Sequence, residues 1–342
     1  MTDISVHRWL IGLCDPAGCA QLASQRLDPS QIQQLFQLAD EHGVTGAVLT
    51  NLHKLLEAEG PSRITGLGAN LAIEIEAAHQ RWFATVAMTL CLRERTTELI
   101  AALRRERLPV AVIKGEDFTD RLYDQPSLRP FRDIDLMMPR EVIDSTAHIM
   151  SGLGYRFVLP GGNYNENYGE RTWDSCGEPR ARVELHWNLI NCPSQRRRSS
   201  LAFDELQWEE TTAAGQTTLR ATPAAMLLIA SVHAVVSHRF DRLQHLCDIR
   251  QICRGRAGEL DYDWLKEAAR RNGNVAALGG ALEVAGRLLK EPACHAVLEQ
   301  LQLPVATTVW RCLVSNDTLL QPYTRLNKLR RTAMREWMKR AA

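Results

Sequence analysis

Asp133-Ile134-Asp135-Leu136-Met137-Met138 is a short run in which two carboxylates alternate with apolar residues before Pro139 closes it. Read as a strand, it places both aspartates on one face, because side chains two apart point the same way. Two carboxylates held that close repel unless a cation lies between them. Hard oxygen ligands suit Mg²⁺ or Mn²⁺. On that reading the run asks for a sheet with one polar, cation-attracting face.

The neighbouring sequence supplies the rest of such a sheet. Residues 110–113 are Val-Ala-Val-Ile, a short apolar run bounded by Pro109 and Lys114-Gly115, and predict a buried strand. Residues 116–123 predict a short helix, and residues 124–131, with Pro126 and Pro130, a loop. Residues 140–153 predict a helix stopped by Gly154, and residues 155–159 a third strand. Gly161-Gly162-Asn163 opens what reads as a polar loop to residue 178; it is no phosphate loop, since no Lys-Ser/Thr follows. Residues 182–189 alternate with period two and predict a fourth strand, with Glu184 and His186 on one face.

Helical signals flank this segment. Asp28-Pro29-Ser30 starts a helix that Gly43 stops, residues 44–58 predict a second, and residues 69–107, free of Pro and Gly, one long helix or two abutting ones. Thr222-Pro223 starts a helical tail. The expected fold class is α+β: a small mixed-sheet core flanked by N- and C-terminal helical segments. Its expected division is a helical region at 1–108, the α/β core at 109–190, a linker at 191–221 and a helical domain at 222–342.

Composition narrows the partners. Basic and acidic residues nearly cancel, 41 against 40, so nothing marks a protein whose main partner is a nucleic-acid backbone. Nine scattered cysteines without a CxxC pair argue against a disulfide framework or structural zinc and predict reduced thiols in a cytoplasmic protein. No secretory signal and no run of about 18 apolar residues is visible, so no membrane span is expected.

If the strand at 182–189 pairs beside the one at 133–138, Glu184 completes a three-carboxylate cluster. Two metal ions about 4 Å apart can then activate a hydroxyl and stabilise the leaving oxygen of an in-line displacement at phosphorus. Lys114 and the backbone at Gly115 can face a triphosphate, and Arg129 and Arg132 can hold its oxygens. The plain reading of the same residues is structural: a turn-capping aspartate, an Arg132–Asp133 ion pair, a core His186.

The runs VIKGEDFTDRLY at residues 112–123, RPFRDIDLMM at residues 129–138 and VELHWNL at residues 183–189 resemble the uncharacterised nucleotidyltransferases of the polymerase-β superfamily. So does the helical stretch at 227–252, with His233, His238, Arg242 and Asp248. The resemblance covers roughly residues 30–290 and implies a nucleotidyltransferase core. It implies that Asp133, Asp135 and Glu184 hold two Mg²⁺ or Mn²⁺ ions. It further implies that Lys114, Gly115, Arg129, Arg132 and His186 meet an NTP, and that an NMP passes to an acceptor hydroxyl or phosphate. The acceptor is expected to be a small molecule, peptide or protein rather than nucleic acid. The wider superfamily usually carries Gly-Ser after its first strand; here the positions are Lys114-Gly115, a change that many members of this family share.

Two other readings compete with an enzyme. One is a nucleotide-binding, non-catalytic regulatory or scaffolding protein with the same core. The other is a nucleic-acid-binding helical protein, resting only on seven basic residues between Arg325 and Arg340, which also read as a solvated terminal helix. His233 and His238 are five apart, not the three or four of a metal-binding pair on an α-helix, and predict packing or phosphate contact. Asp248 can pair with Arg242 or reach the active site from outside, and reads as structural.

Overall fold

The computed structural model describes residues 4–18, 27–59, 68–159, 167–213, 216–321 and 323–341. The N-terminal helices are α1 (Ile4–Leu13), α2 (Pro29–Glu41), α3 (Thr45–Glu59) and α4 (Gly68–Arg105). Asp28 caps α2 through a reciprocal capping box with Gln31, satisfying two backbone donors at once. The 38 residues of α4 make a rod about 57 Å long.

The central part contains β1 (Ala111–Val112), α5 (Gly115–Leu122), β2 (Ile134–Met137), α6 (Thr146–Gly152), β3 (Tyr155–Val158), β4 (Glu170–Ser175), β5 (Arg182–His186), β6 (Trp208–Ala213) and β7 (Gln216–Ala221). These seven strands form one mixed sheet in the order β3-β4-β5-β2-β1-β7-β6. β2 runs antiparallel to β1 and parallel to β5, and β1 runs parallel to β7. The helical tail comprises α7 (Pro223–Val232), α8 (Leu243–Cys253), α9 (Tyr262–Arg271), α10 (Val275–Leu288), α11 (Pro292–Leu301), α12 (Thr307–Leu313), α13 (Asn316–Leu320) and α14 (Arg325–Ala341).

Alternation along β2 and β5 divides the sheet's surroundings. Ile134, Leu136, Val183 and Leu185 pack with Leu99, Leu103 and Met150 in one core. Ile113 and Met137 join the larger core built by the two helical regions. Each such aliphatic side chain contributes about 1.5–3 kcal/mol on burial, which pins the register that exposes the polar positions.

Four elements differ from the sequence expectation. The helix expected at 140–153 is a 3₁₀ turn at Arg140–Val142 followed by α6; Thr146 Oγ1 donates to Ile143 O at 2.7 Å, a local bond that competes with helix propagation. The polar loop expected up to residue 178 contains β4, which pairs with both β3 and β5. The linker expected at 191–221 contains the hairpin β6–β7, which extends the sheet through β1. His233 and His238 do not share a regular α-helix, because α7 ends in a π-helical turn, His233–Ser237. Gly161-Gly162-Asn163 and Cys19 lie outside the described residues. The remaining eight cysteines are free. Among the described residues no helix is long and apolar enough to cross a membrane.

Candidate active site

The register of β2 against β5 sets Asp135 directly beside Glu184 and Met137 beside His186. In a parallel pair, side chains at matched positions share a face. Asp135 Oδ1 lies 2.9 Å from His186 Nε2 and 2.7 Å from Lys114 Nζ. Glu184 Oε2 lies 3.5 Å from His186 Nε2. Glu170, carried in by β4, puts Oε2 3.3 Å from His186 Nδ1. Asp135, Glu184 and His186 each offer an atom within 4.8 Å of the others, a separation that a metal ion can bridge. Asp133, one residue before β2, borders the same cavity.

The cavity measures about 400 Å³. Its walls come from both ends of the chain, with Thr45 and Trp82 on one side and His233 and Arg242 on the other. Lys114 reaches Asp135 because it closes β1 in a left-handed conformation, φ 55°, immediately before α5. A non-glycine residue there stores strain, a feature that collects at functional positions.

The charges in this cluster are interdependent. Burial, reinforced by Asp135 and Glu184, pushes the Asp133 carboxyl up to about 6. Burial also opposes ionisation of Asp135, but Lys114 and His186 outweigh it and hold the carboxyl well below the usual range. Burial and Lys114 work against protonation of His186, yet its bonds to Asp135 and Glu184 lift it to about 9. Lys114 is raised too, with Asp135 and Glu184 overcoming its burial. The carboxylates Asp133, Asp135, Glu170 and Glu184 are thus offset at close range by Lys114 and His186, and Arg242 also acts on Asp133. Several carboxylates around few cations, with the Asp135 and Glu184 oxygens beside the His186 nitrogen, fit a hard divalent ion.

Of the residues expected to meet the nucleotide, Arg129 is committed elsewhere. Its guanidinium grips Asp248 at 2.8 and 2.9 Å, and its Nη1 donates to Gly115 O at 3.0 Å. Asp248 therefore pairs with Arg129 and not with Arg242. Arg132 and Arg242 are exposed, line the cavity and, among the described residues, form no ion pair. Asp133 accordingly has no Arg132 partner. Gly115 borders the cavity, and its backbone opens α5.

Sequence reasoning missed Glu170, Arg242 and His245. Glu170 lay in a stretch too polar to read as a strand. Arg242 was assigned to structure, and nothing in its spacing separates it from Arg129. His245 carries no local signal, since only the turn after α7 brings it to His233 and His238.

A mixed sheet that presents neighbouring-strand carboxylates to a helix-walled cavity defines the core as nucleotidyltransferase-like. The family model described as "Uncharacterised nucleotidyltransferase" matches residues 28–290, and the chain belongs to that family. Among solved structures the chain is similar to ANT(2″)-Ia in complex with adenylyl-2″-tobramycin, at 18% identity and TM-score 0.35 over 52% of this chain and 96% of that one. It is similar to a solution structure of the antibiotic-resistance factor ANT(2″)-Ia, at 17% identity and TM-score 0.34 over 52% and 91%. An antigenic nucleotidyltransferase-like protein from Paracoccidioides brasiliensis is 16% identical, with TM-score 0.36 over 62% and 92%. No curated protein matches the chain.

Proposed function

We propose that the protein is a metal-dependent nucleotidyltransferase that moves an NMP from an NTP to an acceptor hydroxyl or phosphate. The observation that carries this reading is Asp135 and Glu184 side by side in register, with Asp133 at the same cavity. Asp133, Asp135 and Glu184 would hold two Mg²⁺ or Mn²⁺ ions, which when bound supply Lewis acidity to the phosphoryl oxygens. Lys114 and His186 keep Asp135 ionised and fix its orientation. Glu184 is more open than Asp135, with 23% against 6% of its side chain exposed, and is placed to take the acceptor's proton. Arg132 and Arg242 neutralise the triphosphate. A small molecule, peptide or protein acceptor fits the helix-walled cavity and the balanced net charge better than nucleic acid. The reaction is tested by incubating α-labelled NTPs and Mg²⁺ with cell extract. Wild type should give a labelled product that Asp133→Asn and Asp135→Asn do not, at unchanged circular dichroism. Full turnover in both variants overturns the reading.

One observation favours nucleotide binding without turnover. The Lys114 ammonium, 2.7 Å from Asp135, fills a place beside that carboxylate which a divalent ion needs. Calorimetric binding of NTP with Mg²⁺, and no pyrophosphate release across a broad acceptor panel, would support it.

A further inference from the structure

His233, His238 and His245 form a second cluster at the same cavity. Each offers a ring nitrogen within 4.8 Å of the others. Their ring centroids are 4.4, 4.4 and 4.8 Å apart. The five-residue spacing of His233 and His238, unsuited to a metal pair on an α-helix, suits this backbone. The His238 N–H donates to His233 O at 3.1 Å, the i→i+5 bond of a π-helical turn, which stacks residues five apart.

The turn that brings His245 back is costly. Arg239 and Phe240 both take left-handed conformations, φ 51° and 55°, consecutive and neither a glycine. Such strain persists only where surrounding contacts enforce it, and it gathers at functional sites. Here Phe240 is fully buried edge-on against Trp310. Arg331 of α14 donates to His238 O at 2.7 Å and to Asp241 at 3.2 Å, so part of the basic C-terminal run is a clamp on this turn.

Two details point to a ligand. His238 Nδ1 lies 3.1 Å from Asp241 Oδ1, the carboxylate–imidazole contact that orients a metal-bound histidine and leaves Nε2 for the metal. His245 is 6% exposed, and its Nδ1 is buried without a hydrogen-bond partner. An orphaned buried ring nitrogen is costly unless something occupies it.

We infer that His233, His238 and His245 form a binding site for one borderline-soft divalent ion of the Zn²⁺ class, chemically separate from the carboxylate site on β2 and β5. Imidazole nitrogen selects zinc, cobalt or nickel over the Mg²⁺ suited to the oxygen cluster. Three histidines leave the fourth tetrahedral position to water or to an oxygen of a molecule in the cavity.

Titrating chelator-treated full-length protein with Co²⁺ tests the inference without relying on activity. Wild type should bind one equivalent at this site with the visible absorption of a tetrahedral nitrogen-rich centre, and Zn²⁺ should displace it. Glu184→Gln should keep that absorption. His238→Gln, at a partly exposed position, should abolish it. Asp241→Asn should weaken Co²⁺ binding by about 10–100-fold, as loss of an orienting carboxylate does. Circular dichroism on each variant separates loss of metal from loss of fold. No stoichiometric Co²⁺ absorption in wild type, its survival in folded His238→Gln, or its loss in folded Glu184→Gln overturns the inference.

Discussion

Arg129 and Asp248, 119 residues apart in sequence, form a buried two-point ion pair that ties the loop before β2 to α8. Nε and Nη2 donate at 2.9 and 2.8 Å, and Tyr123 adds a hydroxyl donor to Asp248 at 2.8 Å. The pair fixes the loop that ends in Arg132 and Asp133 against the wall that carries the histidines. The pair commits the Arg129 guanidinium to holding that loop, at the border of the cavity.

Removing one member leaves the other charged and buried. Arg129→Ala is expected to destabilise the protein by about 3–5 kcal/mol. The double variant Arg129→Met with Asp248→Leu should lose much less than the two single changes together. Urea denaturation with an unchanged m-value checks this; a loss below about 1 kcal/mol in Arg129→Ala would contradict the tie.

The carboxylate cluster should trade stability for function. Asp133→Asn removes one charge from a group of mutually repelling acids. Without metal it is expected to raise stability by about 1 kcal/mol, while NMP transfer falls at least about a hundredfold, or ~2.7 kcal/mol of barrier. Thermal unfolding in EDTA and pyrophosphate release in Mg²⁺ measure the two effects. An unstable variant with intact turnover would refute both.

Glu116 gives a pH dependence away from the cluster. Burial, offset in part by Arg93, lifts its carboxyl from 4.5 to about 7, and its Oε2 is buried without a partner. The unfolded chain loses this proton near 4.5 and the folded chain near 7. The contribution is therefore full below 4.5, fades as pH rises from 4.5 to 7, and stays lost above that. Glu116→Gln should gain up to about 3 kcal/mol at pH 8 and nothing at pH 4, by the conversion of about 1.4 kcal/mol per unit. Chemical denaturation at both values decides; equal gains at both remove the explanation.

Gly46 allows α3 to lie against the loop that leads to Arg129. A Cβ there would stand 2.5 Å from Ser127 O and 3.0 Å from Trp82 Nε1, which itself donates to Ser127 O. Gly46→Ala should cost about 1–3 kcal/mol by overpacking and weaken NTP binding as the loop shifts. Denaturation and calorimetry read the two losses; a neutral variant would show that the loop yields freely.

Much of the central architecture is written locally. Proline and glycine punctuate 109–139, and period-two alternation marks β2 and β5, so the order strand, Lys-Gly, helix, loop, acidic strand is legible from residues alone. The capping residues Asp28 and Thr222 announce their helices for the same reason, since a cap depends on neighbours three residues away. The side-by-side placement of Asp135 and Glu184 follows once those strands pair.

Where a residue's partner is remote, the chain does not carry the answer. β4 is polar on both sides of Trp173, and the Thr-rich hairpin β6–β7 has little apolar alternation; both are strands because neighbouring strands satisfy their backbone. Arg129 and Arg242 look alike in sequence and both border the cavity, and only the position of Asp248 decides which of them is held in an ion pair. His233 and His238 were out of phase for an α-helix until a π-helical turn changed the period, and His245 joined them through a strained reversal. Local patterning thus determined β2 and β5 and the carboxylates Asp133, Asp135 and Glu184, because periodicity and caps act over a few residues. Which charges remain free and which side chains meet at the cavity was decided by tertiary packing, because those choices depend on contacts between residues remote in sequence, 51 apart for Asp135 and His186 and 119 for Arg129 and Asp248.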